Sequence, residues 1–473
     1  MKRTLTVILS LLVLLPAFAA QEAEKKSAPV KEHLQNHFKL YGFIRNYFVF
    51  DSRESKAGTG DLFYYLPLDN KWNTSSLSNP AREDLNASPN YRFLALTSRV
   101  AFDVSGYYIN NLHFGAKVEG DFYSGLTKLT TATGLSGNTN VSGTAQARLR
   151  QAYVTLTWKD LAMKNDQTAQ VGLKIGQAWH PMAADMPHVF GLETGAPFGP
   201  FSRTPQVTMD ASLGKHWIVS ASAIWQQQYQ SAGPDGASAS YQKYACTPEA
   251  YAGVSYKGKD FLVRGGVDVV SIKPRNIGKN AGGLTVHVKD RKTSVLGFLY
   301  GQYSYKMLQV KAKTTFGEGG EHMNLMSGYA VVDKSDPTNW KYASLINSSS
   351  WVSASYGKKW QGVLFVGYAK NFGLAKPTEE GYVKKSDVYF CSNGFSNINQ
   401  LYRINPQGLY NLGKFTVGVE YQWTAVQYGK YINGELKETS ETVELLNGIG
   451  LPWKDTLHWV GNHRVNVMVK FTF

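Results

Sequence analysis

Two cysteines in 473 residues, Cys246 and Cys391, are too few to staple a fold with disulfides. Long apolar runs are missing too. Beyond the first twenty residues no stretch approaches 18 consecutive apolar side chains, which excludes ordinary transmembrane helices. Acidic residues are outnumbered, with 35 Asp and Glu against 50 Lys and Arg, for a formal charge of +15. In a cytosolic chain that excess would suggest nucleic acid as a partner. Here the basic residues are dispersed rather than clustered on helices, so no nucleic-acid partner is expected. There is no Gly-rich phosphate loop followed by Lys and no paired-cysteine zinc motif.

The chain opens on MKRTLTVILSLLVLLPAFAA. Lys2 and Arg3 precede an apolar run from Leu5 to Leu15, and Ala17-Phe18-Ala19 forms a small-x-small cleavage site. This pattern predicts a secretory signal peptide over residues 1–19. No Cys follows the apolar run, so no lipoprotein anchor is expected. Residues 20–36 are charged and aperiodic and are expected to form a short periplasmic lead-in. In an oxidising compartment Cys246 and Cys391 can pair; the sequence leaves that open.

Tyr and Gly are abundant, at 28 and 45 residues, and from residue 39 the sequence repeats one phrase. Alternating runs of strand length are joined in turn by a tight connection and a long one. The first is KLYGFIRNYFVFD (39–51). YRFLALTSRVAFDV (91–104) precedes LHFGAKVEGDFY (112–123), and RLRQAYVTLTW (148–158) precedes QVGLKIG (170–176). VTMDASLG (207–214) leads to WIVSASAIWQQQY (217–229), and similar pairs recur to the closing HRVNVMVKFTF (463–473). Tight connections such as LGKH, KGKD, GKK and LGK carry the Gly, Lys and Asp that hairpin turns need. Long segments such as 52–90, 318–347 and 429–461 fall only on the other kind. Compact soluble domains hold few structureless loops of that length.

The two faces of each run differ. In LHFGAKVEGDFY, Leu112, Phe114, Ala116, Val118 and Phe122 share one face, and Lys117, Glu119 and Asp121 the other. Phe415, Val417, Val419, Tyr421 and Trp423 likewise alternate with Thr416, Gly418, Glu420, Gln422 and Thr424. A one-residue slip would turn Lys117 toward lipid at a cost of roughly 2–4 kcal/mol. The charges therefore point inward. Trp158, Trp217, Tyr256, Phe261, Trp360 and Phe415 lie near strand ends, where membrane interfaces place aromatics. A soluble sandwich or propeller also alternates, but lacks the loop asymmetry. The expected fold is all-β, a transmembrane antiparallel β-barrel of about sixteen strands over residues 37–473, with long extracellular loops and both termini periplasmic.

At this point LYGFIRNYF, TSRVAF, LKIGQAW before a long loop and the closing phenylalanine, in that order, resemble a Gram-negative porin. Among porins the chain is similar to the DcaP-like group, across nearly all of 37–473. The resemblance implies an outer-membrane homotrimer passing small polar solutes by diffusion, without a cofactor. It also implies a third long loop folded into the barrel, here AWHPMAADMPHVFGLETGAPFGPFS (178–202), whose acids are Asp185 and Glu193. Across the lumen stand Arg45, Arg99, Lys117 and either Arg148 or Arg150, since the registry of 148–158 is ambiguous. Arg203, Arg264, Lys174, Lys311, Lys313, Arg403 and Arg464 add positive charge against Asp103, Glu119, Asp121, Asp268 and Glu420.

The residues taken as pore-lining charge are Arg45, Arg99, Lys117, Glu119, Arg150, Asp185, Glu193, Arg203 and Arg264. Such a lining would modestly favour anions such as carboxylates. The plainer alternative leaves each lumen charge solvated or paired. Expected partners are anionic or polar solutes, outer-membrane lipid and lipopolysaccharide. His180 and His188 lie in the same loop, too few for a metal site. A surface adhesin or structural barrel is the alternative function. A barrel hydrolase would need a nucleophile and base, which no Ser, His and acid arrangement here suggests.

Overall fold

The computed structural model describes residues 37–58, 63–74, 78–95, 97–123, 146–162, 168–191, 194–392, 395–436 and 441–473. The expected signal peptide (1–19), most of the lead-in (20–36) and Glu193 lie outside the described residues.

Sixteen antiparallel strands close into one barrel. In chain order β1 is Phe38–Asp51, β2 runs in two pieces as Asn90–Leu94 and Arg99–Ile109, β3 is Leu112–Tyr123 and β4 is Gln146–Ala162. Next come β5 (Thr168–Trp179), β6 (Arg203–Leu213), β7 (Trp217–Ile224) and β8 (Glu249–Lys257). They are followed by β9 (Phe261–Ile272), β10 (Lys292–Tyr305), β11 (Leu308–Glu318) and β12 (Lys341–Gly357). The last four are β13 (Trp360–Leu374), β14 (Ile398–Leu412), β15 (Phe415–Tyr428) and β16 (His458–Thr472).

The period-2 pattern explains these strands. On β3, Val118 and Phe122 stand on the outer face while Glu119 and Asp121 are buried inside. On β15, Phe415, Val419 and Tyr421 face out, and Thr416, Glu420, Gln422 and Thr424 are buried. One rim carries tight hairpins, where Gly413 (φ 58°) turns β14 into β15. Aromatics ring this rim: Trp217 meets Tyr256 at 4.9 Å, and Trp360 meets Tyr410 at 4.5 Å between ring centroids.

Closure falls between the two ends of the chain. β1 and β16 pair from Phe43 with Thr472 to Asp51 with Arg464. Gly42 and Phe473 exchange backbone hydrogen bonds of 3.1 and 3.3 Å. A Cβ at position 42 would stand 2.1 Å from the Arg99 carbonyl oxygen and 2.8 Å from the Phe473 ring, so only glycine fits this seam.

Three of the local departures from the alternation alter expected runs. A continuous run over 91–104 is expected, but the chain leaves the strand between Leu94 and Arg99, with Thr97 at φ 70°. The break turns Ser98 Oγ to the Arg45 amide (3.1 Å) and Thr97 Oγ1 to the Arg45 guanidinium (2.9 Å). β7 stops at Ile224, short of the expected Tyr229, because the Gln226 amide donates instead to Gln242 (2.9 Å). In β4, Glu119 pairs with Gln151 and Gly120 with Leu149, so Arg150 is an extra, bulged residue. The bulge sends both Arg148 and Arg150 inward and resolves the ambiguous registry. Cys246 is exposed and Cys391 buried, and no disulfide joins them.

At the other rim the long loops pair with one another. Gly328–Asp333 of the sixth loop pairs with the start of β12 and with Val388–Phe390 of the seventh. Tyr382–Lys384 of the seventh pairs with Glu441–Asn447 of the eighth. The third loop takes a different course, into the barrel.

Candidate pore constriction

The third loop leaves β5 at Trp179 and returns at Arg203, and these two residues pair across the strands. The His180 amide donates to the Ser202 carbonyl (3.0 Å) and closes the loop's base. Between them the loop crosses the interior, and wall side chains on several strands satisfy its backbone carbonyls. Lys313 of β11 donates to the Met182 carbonyl. Gln407 of β14 reaches the His188 carbonyl (3.0 Å), and Tyr47 of β1 the Phe190 carbonyl (2.5 Å). Arg403 of β14 donates to the Ala196 carbonyl at 3.1 Å.

Met182, Phe190, Ala196, Phe198 and Phe201 fill the space beneath the loop. Phe198 packs edge-on against Phe365 (6.0 Å) over Gly367, where a Cβ would come within 2.4 Å of its ring. Glycine at 367 therefore makes room for the loop. The loop fills the lumen toward β11–β15 and leaves a gap toward β1–β4.

That gap is a cavity of about 250 Å³. Met186, Thr194, Trp179 and Phe201 line it from the loop side; Arg45, Arg99, Arg148 and Arg150 line the wall. Each guanidinium has a defined seat. Arg148 grips Asp121 with two bonds of 2.9 Å. Arg150 bridges Glu119 Oε1 (2.6 Å) and Asp121 Oδ2 (2.8 Å). Arg99 stands 3.7 Å from Glu119, and Arg45 bonds Thr97 Oγ1 and lies 5.0 Å over the Tyr47 ring. Arg203 donates to Gln228 Oε1 (3.1 Å) and lies 4.8 Å over Trp179. Five guanidinium groups against two carboxylates leave a formal excess of three positive charges. Such a cluster holds planar oxyanions well, because guanidinium donors are fixed and remain charged.

The other sequence-predicted residues are dispersed. Lys117 pairs with Asp103 (3.2 Å) and belongs to β3 nearer the hairpin rim. Asp185 is bound to Arg264 of β9 by contacts of 2.9 and 3.0 Å, so that pair sits against the opposite wall. Sequence reasoning left Arg148 as an alternative and gave Thr97 no role. The break around Thr97 has no signature in an alternating pattern.

A second polar group sits at the loop's base. Glu249 Oε1 accepts from both His180 Nε2 (2.6 Å) and His322 Nε2 (3.2 Å), and Asp268 lies 3.6 and 3.7 Å from the same nitrogens. All four are buried. Two imidazoles and two carboxylates are a metal-ligand chemistry. The hydrogen bonds oppose that use. The Met182 amide donates to His180 Nδ1 (3.1 Å), so the ring's proton is on Nε2, where a metal would need a lone pair.

Burial opposes charge on His322, but Glu249 and Asp268 outweigh it and push the imidazole up to about 10. A raised folded value stabilises most below the free imidazole range of about 6.5 and fades as pH climbs through the folded value. The gap in heat resistance between the native chain and His322→Gln is therefore expected to be widest below about pH 6.5 and to vanish by about pH 10. Thermal melts across that range check it; a gap that closes by about pH 7 would mean a neutral His322.

No protein-family model matches the chain, and no curated protein sequence matches it. Solved structures do. The outer membrane channel DcaP of Acinetobacter baumannii superposes with a TM-score of 0.56 at 16% identity, over 92% of this chain and 97% of that one. The anion-selective porin from Comamonas acidovorans gives 0.49 at 10% identity, over 92% and 99%. OmpT, an outer membrane protein of Vibrio cholerae, gives 0.47 at 10% identity, over 92% and 97%. The first likeness shows that this barrel has the fold of an outer-membrane channel.

Proposed function

We propose that the chain is an outer-membrane porin: a water-filled channel through which small polar solutes diffuse, with a preference for anions such as carboxylates. The observation that carries this reading is the arginine-lined gap left by an inward-folded loop. In a narrow passage between low-dielectric walls, fixed charge of one sign raises the local concentration of counter-ions and excludes co-ions. Arg45, Arg99, Arg148, Arg150 and Arg203 supply that charge, with Glu119 and Asp121 holding three of them in place.

Several expectations belong to the same reading. Residues 1–19 are removed on export, 20–36 form a short periplasmic lead-in, and 37–473 form the barrel. Both termini face the periplasm, the long-loop rim faces outward among lipopolysaccharide, and three copies assemble. The chain performs no catalysis in this role. Planar-bilayer recording with purified protein tests it: discrete conductance steps are expected, with a reversal potential in a KCl gradient that reports chloride preference. Absence of steps overturns the channel, and a potassium preference overturns the anion selectivity alone.

A further inference from the structure

We infer that His180, Glu249, Asp268 and His322 form the anchor that positions the third loop, and so set the width and quietness of the gap beside it. The inference rests on the channel reading for its consequence, though not for its geometry. The four residues come from four places in the chain. His180 is the loop's first residue, Glu249 begins β8, Asp268 lies on β9, and His322 sits in a short turn of the sixth loop, Glu321–Met323.

Nothing in strand periodicity requires two imidazoles to meet on one carboxylate oxygen. Burying that many ionisable groups together is unfavourable unless each satisfies another. Here both imidazoles are bonded to Glu249 Oε1, at 2.6 and 3.2 Å, while Asp268 acts only through its charge at 3.6 and 3.7 Å. Its Oδ1, like Glu249 Oε2 and His322 Nδ1, is buried without a hydrogen-bond partner among the described residues.

The turn carrying His322 is itself held. Lys292 of β10 pairs with Glu321 at 3.4 Å. The Phe201 amide donates to the Met323 carbonyl (2.9 Å), so the same turn also grips the loop's returning end. Both ends of the third loop are thereby fastened at one point, His180 through its side chain and Phe201 through its backbone.

The anchor adjoins the gap directly. Trp179 precedes His180 and meets Phe201 at 5.1 Å between centroids, and both rings line the cavity. Arg150 and Arg203 lie over Trp179 at 5.6 and 4.8 Å. Releasing the anchor moves the apolar wall of the gap and the seats of two of its arginines together.

His322→Ala and Glu249→Gln test this, read by bilayer recording and by hydrogen exchange of peptides from residues 178–203 in the refolded barrel. Both variants are expected to exchange at least about tenfold faster in that segment, with the strands unchanged. Open-channel noise should rise with it, and larger sugars should pass in liposome swelling. His322→Gln, whose amide nitrogen can occupy the Nε2 position without the charge, should exchange more slowly and record more quietly than His322→Ala. Wild-type exchange and noise in both loosening variants would overturn the inference. Exchange reads the anchor even if the protein does not conduct, which would count against the channel reading alone. If His322→Ala does not form a heat-resistant barrel, Glu249→Asp, which withdraws the shared acceptor by one methylene, carries the same readouts.

Discussion

An Arg45→Glu, Arg99→Glu double variant is expected to shift the ion preference of the proposed channel from chloride toward potassium. Of the four guanidinium groups that line the cavity, these are the two least engaged by carboxylates. Arg45 bonds a threonine hydroxyl, and Arg99 keeps 3.7 Å from Glu119. Reversing both changes the formal charge of the lining by four, from an excess of three positive to one negative. Arg148 and Arg150 keep their hold on Asp121 and Glu119, so the wall itself stays in place. The chloride-to-potassium permeability ratio should fall at least about tenfold, a difference of about 1.4 kcal/mol between the two ions. Zero-current potentials in a KCl gradient measure it. A ratio within about twofold of the parent would show that ions cross the barrel away from this wall.

The second large effect is on stability. Arg150→Ala removes the group that ties Glu119 to Asp121 and leaves both carboxylates buried with fewer partners. Breaking a buried charge network from one side costs about 3–5 kcal/mol. Asp121 retains its two bonds from Arg148, which places the expected loss near the lower bound, about 3 kcal/mol. Urea unfolding of the refolded barrel in lipid measures it. Pairing Arg150→Met with Glu119→Gln should recover much of the loss, because the orphaned charge goes with its partner. A loss below about 1 kcal/mol for Arg150→Ala would mean that water already solvates the cluster.

Most of the strand framework was legible because the barrel's two environments impose a period of two on the chain. Val118 beside Glu119, and Val419 beside Glu420, mark inside and outside without any knowledge of neighbours. Arg45 and Arg99 were legible for the same reason. What escaped was every feature that breaks the period. The bulge at Arg150 adds one residue that alternation cannot assign, and the break around Thr97 interrupts a run that looked continuous. The grouping of His180, Glu249, Asp268 and His322 was illegible for another reason. Only closure of the barrel and inward folding of a loop bring positions so far apart in sequence together. The placement of Asp185 against Arg264 follows from that loop's path as well.

The seam between β1 and β16 has a consequence in time. Ser52 bonds Asn462 across 410 positions of chain, and Gly42 waits for the Phe473 ring. A ribosome making roughly 5–20 residues each second needs some tens of seconds between the two. Throughout that interval, and through any later transit, the free edge of β1 offers unpaired amides and carbonyls to any passing strand. Until the trailing edge arrives, the leading one stays open to mispairing. A chain shortened by its last strand is therefore expected not to fold to a looser barrel but to aggregate, which sedimentation after refolding would check.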